Sequence, residues 1–182
     1  MTPLDFLLTR RSRPAKLLGA PAPDREALEP ILRAALRVPD HGKLEPWRLL
    51  VLSEPALRAI APAIREAAEA RGEDASKAAS AYETSPLAVA VIAAPVEGAK
   101  IPAVEQGDSA ACVALSLVNA ALAAGWGANW LTGWPVHDPA LAADLFGTEG
   151  GERVVGLIHI GTARSQPPDR PRPDLASKVE WR

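Results

Sequence analysis

Three guanidinium groups and one hydroxyl fall in four consecutive residues, Arg10-Arg11-Ser12-Arg13, directly after the short apolar stretch Leu4-Asp5-Phe6-Leu7-Leu8. Arginine donates two parallel hydrogen bonds to one oxyanion, and a serine hydroxyl adds another donor, so the group suits a phosphate. The alternative is a solvated basic helix end that complements the helix dipole. The chain around these residues is slightly acidic, with 20 Lys+Arg against 22 Asp+Glu and a net charge of -2. A dense basic turn in such a chain points to one localised anion. The overall balance argues against a general binder of nucleic acid or of membrane surfaces.

Two further segments carry polar and ring-binding chemistry. Arg37-Val38-Pro39-Asp40-His41-Gly42-Lys43 leads into Leu44-Glu45-Pro46-Trp47, where a proline-aromatic pair precedes an apolar run. Gly125-Trp126-Gly127 opens a segment that ends Leu131-Thr132-Gly133, and its glycines let backbone approach a flat ligand closely. Conventional active sites are missing. His41, His137 and His159 have no HExxH or CxxC companions, so no zinc site is expected. No GxSxG elbow, no Walker A loop and no GxGxxG after a first strand occurs. The single cysteine, Cys112, allows no internal disulfide, and its Ala-rich surroundings predict a buried thiol.

The elements that must position these residues follow from periodicity and punctuation. The spacing predicts a first helix over Pro3 to Arg11 and a second from the N-cap Asp24, with Leu28, Ile31, Leu32, Ala35 and Leu36 on one side. Trp47 to Leu52 reads as a strand. A helix from Ser53-Glu54-Pro55 to about Arg71 and a weaker one over Ala75 to Tyr82 come next. Leu87 to Ile92 is a short continuous apolar run, which predicts a buried strand. A long Ala-rich helix is expected over Pro102 to Ala124, a short strand over Ala128 to Leu131, a helix from Asp138-Pro139 to Phe146, and a last strand over Arg153 to Gly161. About four strands interleaved with helices predict a single three-layer α+β domain over 1–182. Thr162 to Arg182 is rich in Pro and Arg and has no apolar period, so 165–182 is expected as an extended C-terminal arm. No leader is read at the N-terminus, and the apolar segment Cys112 to Leu131 is broken by Ser116, Asn119 and Asn129. A soluble protein of the cytoplasm is therefore expected, with no membrane partner.

The order of these landmarks is more specific than any one of them. An N-terminal helix ending Arg-Arg-Ser, then Arg-x-Pro-x-His and Pro-Trp before the first long strand, resembles the nitroreductase family of FMN enzymes. The long Ala-rich helix, the glycine-broken Trp-x-x-Gly segment and the closing strand at Leu157 to Gly161 complete the resemblance, which covers essentially the whole chain. It is nearest to the small, minimal members of the YdjA type. The resemblance implies a three-layer α/β/α fold with a central, mostly antiparallel sheet. It implies a homodimer with FMN at the subunit interface and a C-terminal arm wrapping the partner. Arg10, Arg11 and Ser12 match residues at the phosphate and ribityl end of FMN. Leu131, Thr132 and Gly133 match the loop against the same cofactor, and Arg37 and His41 match positions that reach the FMN of the other subunit. Arg170 and Arg172 are both open as further phosphate contacts.

The implied activity is electron transfer from NADPH or NADH, through FMN, to a small acceptor such as a nitroaromatic or a quinone, in two half-reactions. No side chain then needs to act as a nucleophile or base, because the chemistry belongs to the flavin. Two departures stand out. Relatives carry Asn-x-Gln before Pro-Trp where this chain has Lys43 and Glu45. The extra helices that shape the pocket in larger relatives are also missing, which predicts a more open pocket here. These departures leave a flavin reservoir without turnover, or a flavoenzyme acting on oxygen or one specific metabolite, as alternatives.

Overall fold

Short polar side chains set where the helices begin. The computed structural model describes residues 1–182. Helix α1 (Pro3–Thr9) starts in a reciprocal capping box: the Thr2 hydroxyl accepts from Asp5 N at 3.1 Å, and the Asp5 carboxylate accepts from Thr2 N at 2.8 Å. The helix stops at Thr9, two residues before the expected end at Arg11. Arg10 turns to an extended conformation (φ -57°, ψ 143°), and three residues on Arg13 N donates to Ala128 O at 2.8 Å. Pairing with a distant strand replaces the last helical turn, so the basic residues form a connecting segment and not a helix end.

Strand β1 (Leu18–Gly19) follows, then α2 (Arg25–Ala35), capped by Asp24 through Ala27 N at 2.9 Å. The middle of the chain holds β2 (Trp47–Ser53), α3 (Glu54–Ala70), α4 (Ala75–Thr84) and β3 (Leu87–Ala93). The second half holds α5 (Ala103–Ala123), β4 (Gly127–Leu131), α6 (Trp134–His137), α7 (Pro139–Phe146) and β5 (Arg153–Ala163). Asp74 and Asp138 cap α4 and α7 through backbone N–H groups at 3.0–3.1 Å. The tail after Ala163 is exposed almost throughout and has a single helical turn at Leu175–Ser177.

Five strands form one sheet in which every pairing is antiparallel. β5 is the hub and bonds to β1, β3 and β4, while β2 lies beyond β3 at an edge. β1 escaped the expected count because two residues carry no period. Alternation along β3 assigns the layers. Leu87, Val89, Val91 and Ala93 pack with α2 and α5, while Ala88, Ala90 and Ile92 pack with α3, α4 and α7. The expected α/β/α sandwich results, with a core on each face of the sheet. A bulge at Val155 shifts the alternation of β5, so Val155 and Ile158 share one face and Val154 and Leu157 the other.

Helix α5 buries Ala110, Val113, Ala114, Leu117, Val118 and Ala121, a helical spacing that gives one continuous stripe. Its other side is open and mixed: Val104 is 68% exposed and Leu115 48%, with the exposed carboxylates Glu105 and Asp108 beside them. Cys112 lies on this open side, so the expected burial of its thiol is not met. Its apolar neighbours Ala110, Val113 and Ala114 do reach the core, but Cys112 itself falls on the side of the helix that nothing in the single chain covers. No helix is long and apolar enough to cross a membrane.

Candidate cofactor site

The basic segment is built as a cluster of cations. Arg10 donates from Nη2 to Ser12 Oγ at 2.9 Å, while its Nε is buried with no partner. Burial, and then the nearby cations Arg172, Arg11 and Arg170, hold the Arg10 guanidinium below the usual arginine range. Four guanidinium groups from opposite ends of the chain are thus gathered in one place. Asp169 is the carboxylate among them, 2.7 Å from Arg172 and 3.9 Å from Arg11. One carboxylate against four guanidiniums, together with an orphaned Nε–H, leaves room for a multiply charged anion such as a phosphate monoester. Arg11 also donates from Nε to Pro168 O at 3.3 Å, which ties the tail to the segment. Arg13 serves the backbone instead, with its Nη1 on Arg11 O at 3.2 Å.

From this cluster, the edge strand β4 leads to the second part of the site. Arg13 is bonded to Ala128, and Leu131, Thr132 and Gly133 lie at the far end of the strand. Four residues of strand span about 13 Å. Gly133 turns the chain away with φ 157° and ψ 177°, a combination essentially restricted to glycine. The turn opens onto a cleft of about 520 Å³ walled by Lys77, Tyr82, Thr132, Gly133, Trp134 and His159. Arg71 stacks on Trp134, 4.7 Å from the ring centroid, and is itself held by Asp138 at 3.4 Å and Glu73 at 3.7 Å. At the back of the cleft His159 meets Tyr82 edge to face, with centroids 6.2 Å apart, and its Nδ1 is 2.8 Å from Ser85 Oγ. Burial pushes His159 down to about 4 and Tyr82 up to about 12, so both are neutral near pH 7. A cluster of cations and a cleft with an aromatic back wall, whose lining also carries the exposed Glu73, Asp74 and Lys77, are thus joined by one strand.

Leu131, Thr132 and Gly133, which the resemblance matched to the cofactor loop, line this cleft, while Lys77, Tyr82, Trp134 and His159, which line it too, were not among the expected residues. Trp134 follows the glycine directly and was within reach of a local argument. The others come from α4 and β5, and only the packing of α4 against the sheet brings them to the loop. The strand itself depends on one small residue. A Cβ on Gly156 would sit 2.1 Å from Trp130 Nε1, because the indole lies across that glycine.

Arg37 and His41 are elsewhere. The chain after α2 descends α5 toward its N-terminus, with Ser116 Oγ on Ala34 O, Ser109 Oγ on Pro39 O, and His41 Nδ1 2.7 Å from Glu105 Oε2. The basic segment shares a cavity with Leu122 and Ala123, at the other end of the same helix. From Glu105 to Leu122 is about 26 Å at 1.5 Å per residue. A single chain therefore does not unite the expected residues. It carries Arg10, Arg11 and Ser12 at the C-terminal end of α5, Leu131 to Gly133 a strand's length away along β4, Arg37 beside the middle of α5 between the levels of Ser116 and Ser109, and His41 at its N-terminal end, with Arg37 and His41 both exposed.

The loop after His41 shows what the Lys43 position asks of its backbone. Asp40 accepts from Leu44 N at 3.2 Å and Glu45 N at 2.9 Å, and the chain folds tightly around that carboxylate. Gly42, Lys43 and Glu45 take φ values of 78°, 55° and 48°. Such left-handed geometry costs an ordinary side chain roughly 1–2 kcal/mol, and asparagine tolerates it better. Asn at the first position would suit this backbone, and Lys43 occupies it under strain, with an exposed side chain.

Comparison with known proteins bears directly on this arrangement. The family model described as "Nitroreductase family" matches residues 7–162. The chain belongs to the nitroreductase family. A nitroreductase relative in Escherichia coli strain K12, named "Putative NAD(P)H nitroreductase YdjA", is 34% identical over 165 residues, covering 89% of this chain and 88% of that protein. A similarly described protein of Haemophilus influenzae is 37% identical over 166 residues, covering 89% of each. Among solved structures, a nitroreductase-like protein from Bacillus cereus superposes with a TM-score of 0.83 at 21% identity, covering 100% of this chain and 96% of that one. A protein from Desulfovibrio desulfuricans, described as "a putative nitroreductase in complex with fmn", gives 0.78 at 20% identity, covering 100% and 98%. These two structures establish that the nitroreductase-like fold extends over the whole chain.

Proposed function

We propose that this protein is an FMN-dependent oxidoreductase that takes electrons from NADPH or NADH and delivers them to a small, flat acceptor such as a nitroaromatic or a quinone. The observation that carries the reading is the gathering of Arg10, Arg11, Arg170 and Arg172 around a buried, unpartnered Nε–H, one strand's length from an aromatic-walled cleft. FMN has that outline, with a dianionic phosphate at one end and a tricyclic ring at the other. Its presence in the D. desulfuricans structure and the names of the E. coli and H. influenzae relatives point the same way.

In this reading each residue has a limited task. Arg10 and Arg11, with Arg170 and Arg172 from the tail, neutralise the phosphate, and Ser12 orients Arg10. Leu131, Thr132 and Gly133 lay backbone against the ring edge. When bound, flavin supplies the two-electron chemistry. Lys77 presents an ammonium at the rim of the cleft, and Tyr82 and His159 keep the inner wall neutral. Trp134, pinned by Arg71, offers a flat face beside which a planar acceptor fits.

A homodimer completes the site. The open side of α5 runs from Val104, at the His41 end of the helix, to Cys112 and Leu115 near its middle, with the basic segment at the other end. Two copies packed antiparallel along this side bring Arg37 and His41 of each chain beside the phosphate cluster of the other. That packing is isologous, as a two-fold dimer requires, and it covers the apolar residues that one chain leaves in water. The exposed tail, with Leu175 and Trp181 outward, is the arm available to embrace the partner.

Stopped-flow mixing of the FMN-loaded protein with NADPH, and separately with NADH, tests the activity. Loss of the visible flavin band with at least one donor, and its return on adding a quinone, is the expected result. A flavin that stays oxidised with both donors would leave the protein as a flavin carrier.

A further inference from the structure

His41 has a partner that no argument about the cofactor requires. Its Nδ1 lies 2.7 Å from Oε2 of Glu105, in the first turn of α5. A carboxylate oxygen only accepts, so the proton of this bond is on Nδ1, and the ring is held with Nε2 facing away from α5. Nε2 has no hydrogen-bond partner within the chain, and the His41 side chain is 63% exposed. Carboxylates behind functional histidines commonly fix the ring's tautomer and direction in this way.

We infer that Glu105 is the positioning residue of His41: it locks the imidazole so that Nε2 meets the FMN held by the partner subunit. This rests on the dimeric reading above. Glu105 touches no cofactor in this account and acts only through the ring. The placement has a physical logic. His41 sits on a strained loop around Gly42 and Lys43, where an unsupported imidazole would sample several rotamers and both tautomers. Anchoring that ring to the first turn of the longest helix ties the loop to the most rigid element near the interface.

The test is a double-mutant cycle in the full-length dimer, with FMN affinity read from quenching of flavin fluorescence and dimer content checked by sedimentation. Glu105→Ala is expected to weaken FMN binding about tenfold, near the lower end of what such supporting carboxylates contribute to the groups they orient. His41→Ala should weaken it at least as much, and the double variant no further than His41→Ala alone. Glu105→Gln, which keeps an acceptor oxygen, should restore binding to within about twofold of the wild type. Nitrogen NMR of the imidazole gives a readout apart from binding: the wild-type ring is protonated at Nδ1, and Glu105→Ala shifts the population toward the other tautomer. If His41→Ala weakens binding and Glu105→Ala does not, or if their effects add, the positioning role is overturned while the dimeric site stands. If neither substitution changes affinity, the placement of His41 at the cofactor falls, and the inference falls with it.

Discussion

Acid should destabilise this protein through one histidine at the back of the cleft. His159 is almost fully buried between Tyr82 and Ser85, and burial pushes it from the ordinary 6.5 down to about 4. In the unfolded chain the same ring titrates near 6.5, so the unfolded state takes up a proton that the folded state refuses. Stability is therefore full above about pH 6.5 and is lost as pH falls toward 4. At 1.36 kcal/mol per pH unit the gap amounts to about 3 kcal/mol, of which about 2.5 is gone by pH 4.5. His159→Gln removes the titration and keeps a group able to bond Ser85. The variant will be less stable near neutrality, because Gln does not refill the ring's volume. Its loss between about pH 7.5 and 4.5 should nonetheless be smaller than that of the wild type by about 2.5 kcal/mol. Urea unfolding of both proteins at the two pH values, at equal protein and flavin concentration, measures the difference. Equal acid losses in the two would refute the argument, since the remaining carboxylates are common to both.

Three further outcomes follow from other parts of the structure. Arg10→Ala should weaken FMN binding by tenfold to about a hundredfold, the range of a charge-assisted hydrogen bond, and Arg172→Ala by less because Asp169 already engages it; Arg13→Ala, whose guanidinium is on Arg11 O, should change affinity least, and a fluorescence titration ranks the three. Gly156→Ala should destabilise by at least 1–3 kcal/mol, because the new methyl collides with the Trp130 indole in a packed layer, and a thermal melt with tryptophan fluorescence reports both the loss and the displaced ring. Leu115→Asp, on the open stripe of α5, should give a folded monomer that has lost most of its FMN affinity, which sedimentation and flavin retention would show together.

Much of this was legible in the chain itself, for reasons that differ between elements. Helices α2 and α5 carry apolar residues at helical spacing, and β3 is one uninterrupted apolar run, so composition and period were enough. Arg10 to Ser12 stood out because their residue types do chemistry that packing does not ask for, whereas Leu131 to Gly133 were picked out by the family resemblance, with only the glycines of the segment arguing for close backbone approach. What escaped were features decided by distant partners. Arg10 leaves α1 early because Arg13 pairs with Ala128, more than a hundred residues away. Arg170 and Arg172 could not be ranked from a tail without periodicity, yet in the fold both approach Arg10. Cys112 looked buried because its neighbours Ala110, Val113 and Ala114 are core residues, while its own place on the helix turns it to the open side. Tyr82 and His159 have nothing in their neighbours to mark them and become wall residues only when α4 closes on the sheet.

The central claim is that one cofactor site is assembled from two chains, and mixed dimers test it most directly. One chain carries Arg10→Ala with Arg11→Ala, and the other Arg37→Ala with His41→Ala. At a flavin concentration where neither variant homodimer holds FMN, the account predicts one FMN per mixed dimer. One site of that dimer then joins an intact Arg10 cluster from one chain to an intact Arg37 and His41 from the other. Mixed dimers that remain colourless, under conditions where the wild type binds two, would contradict a shared site and return both halves of the chemistry to a single chain.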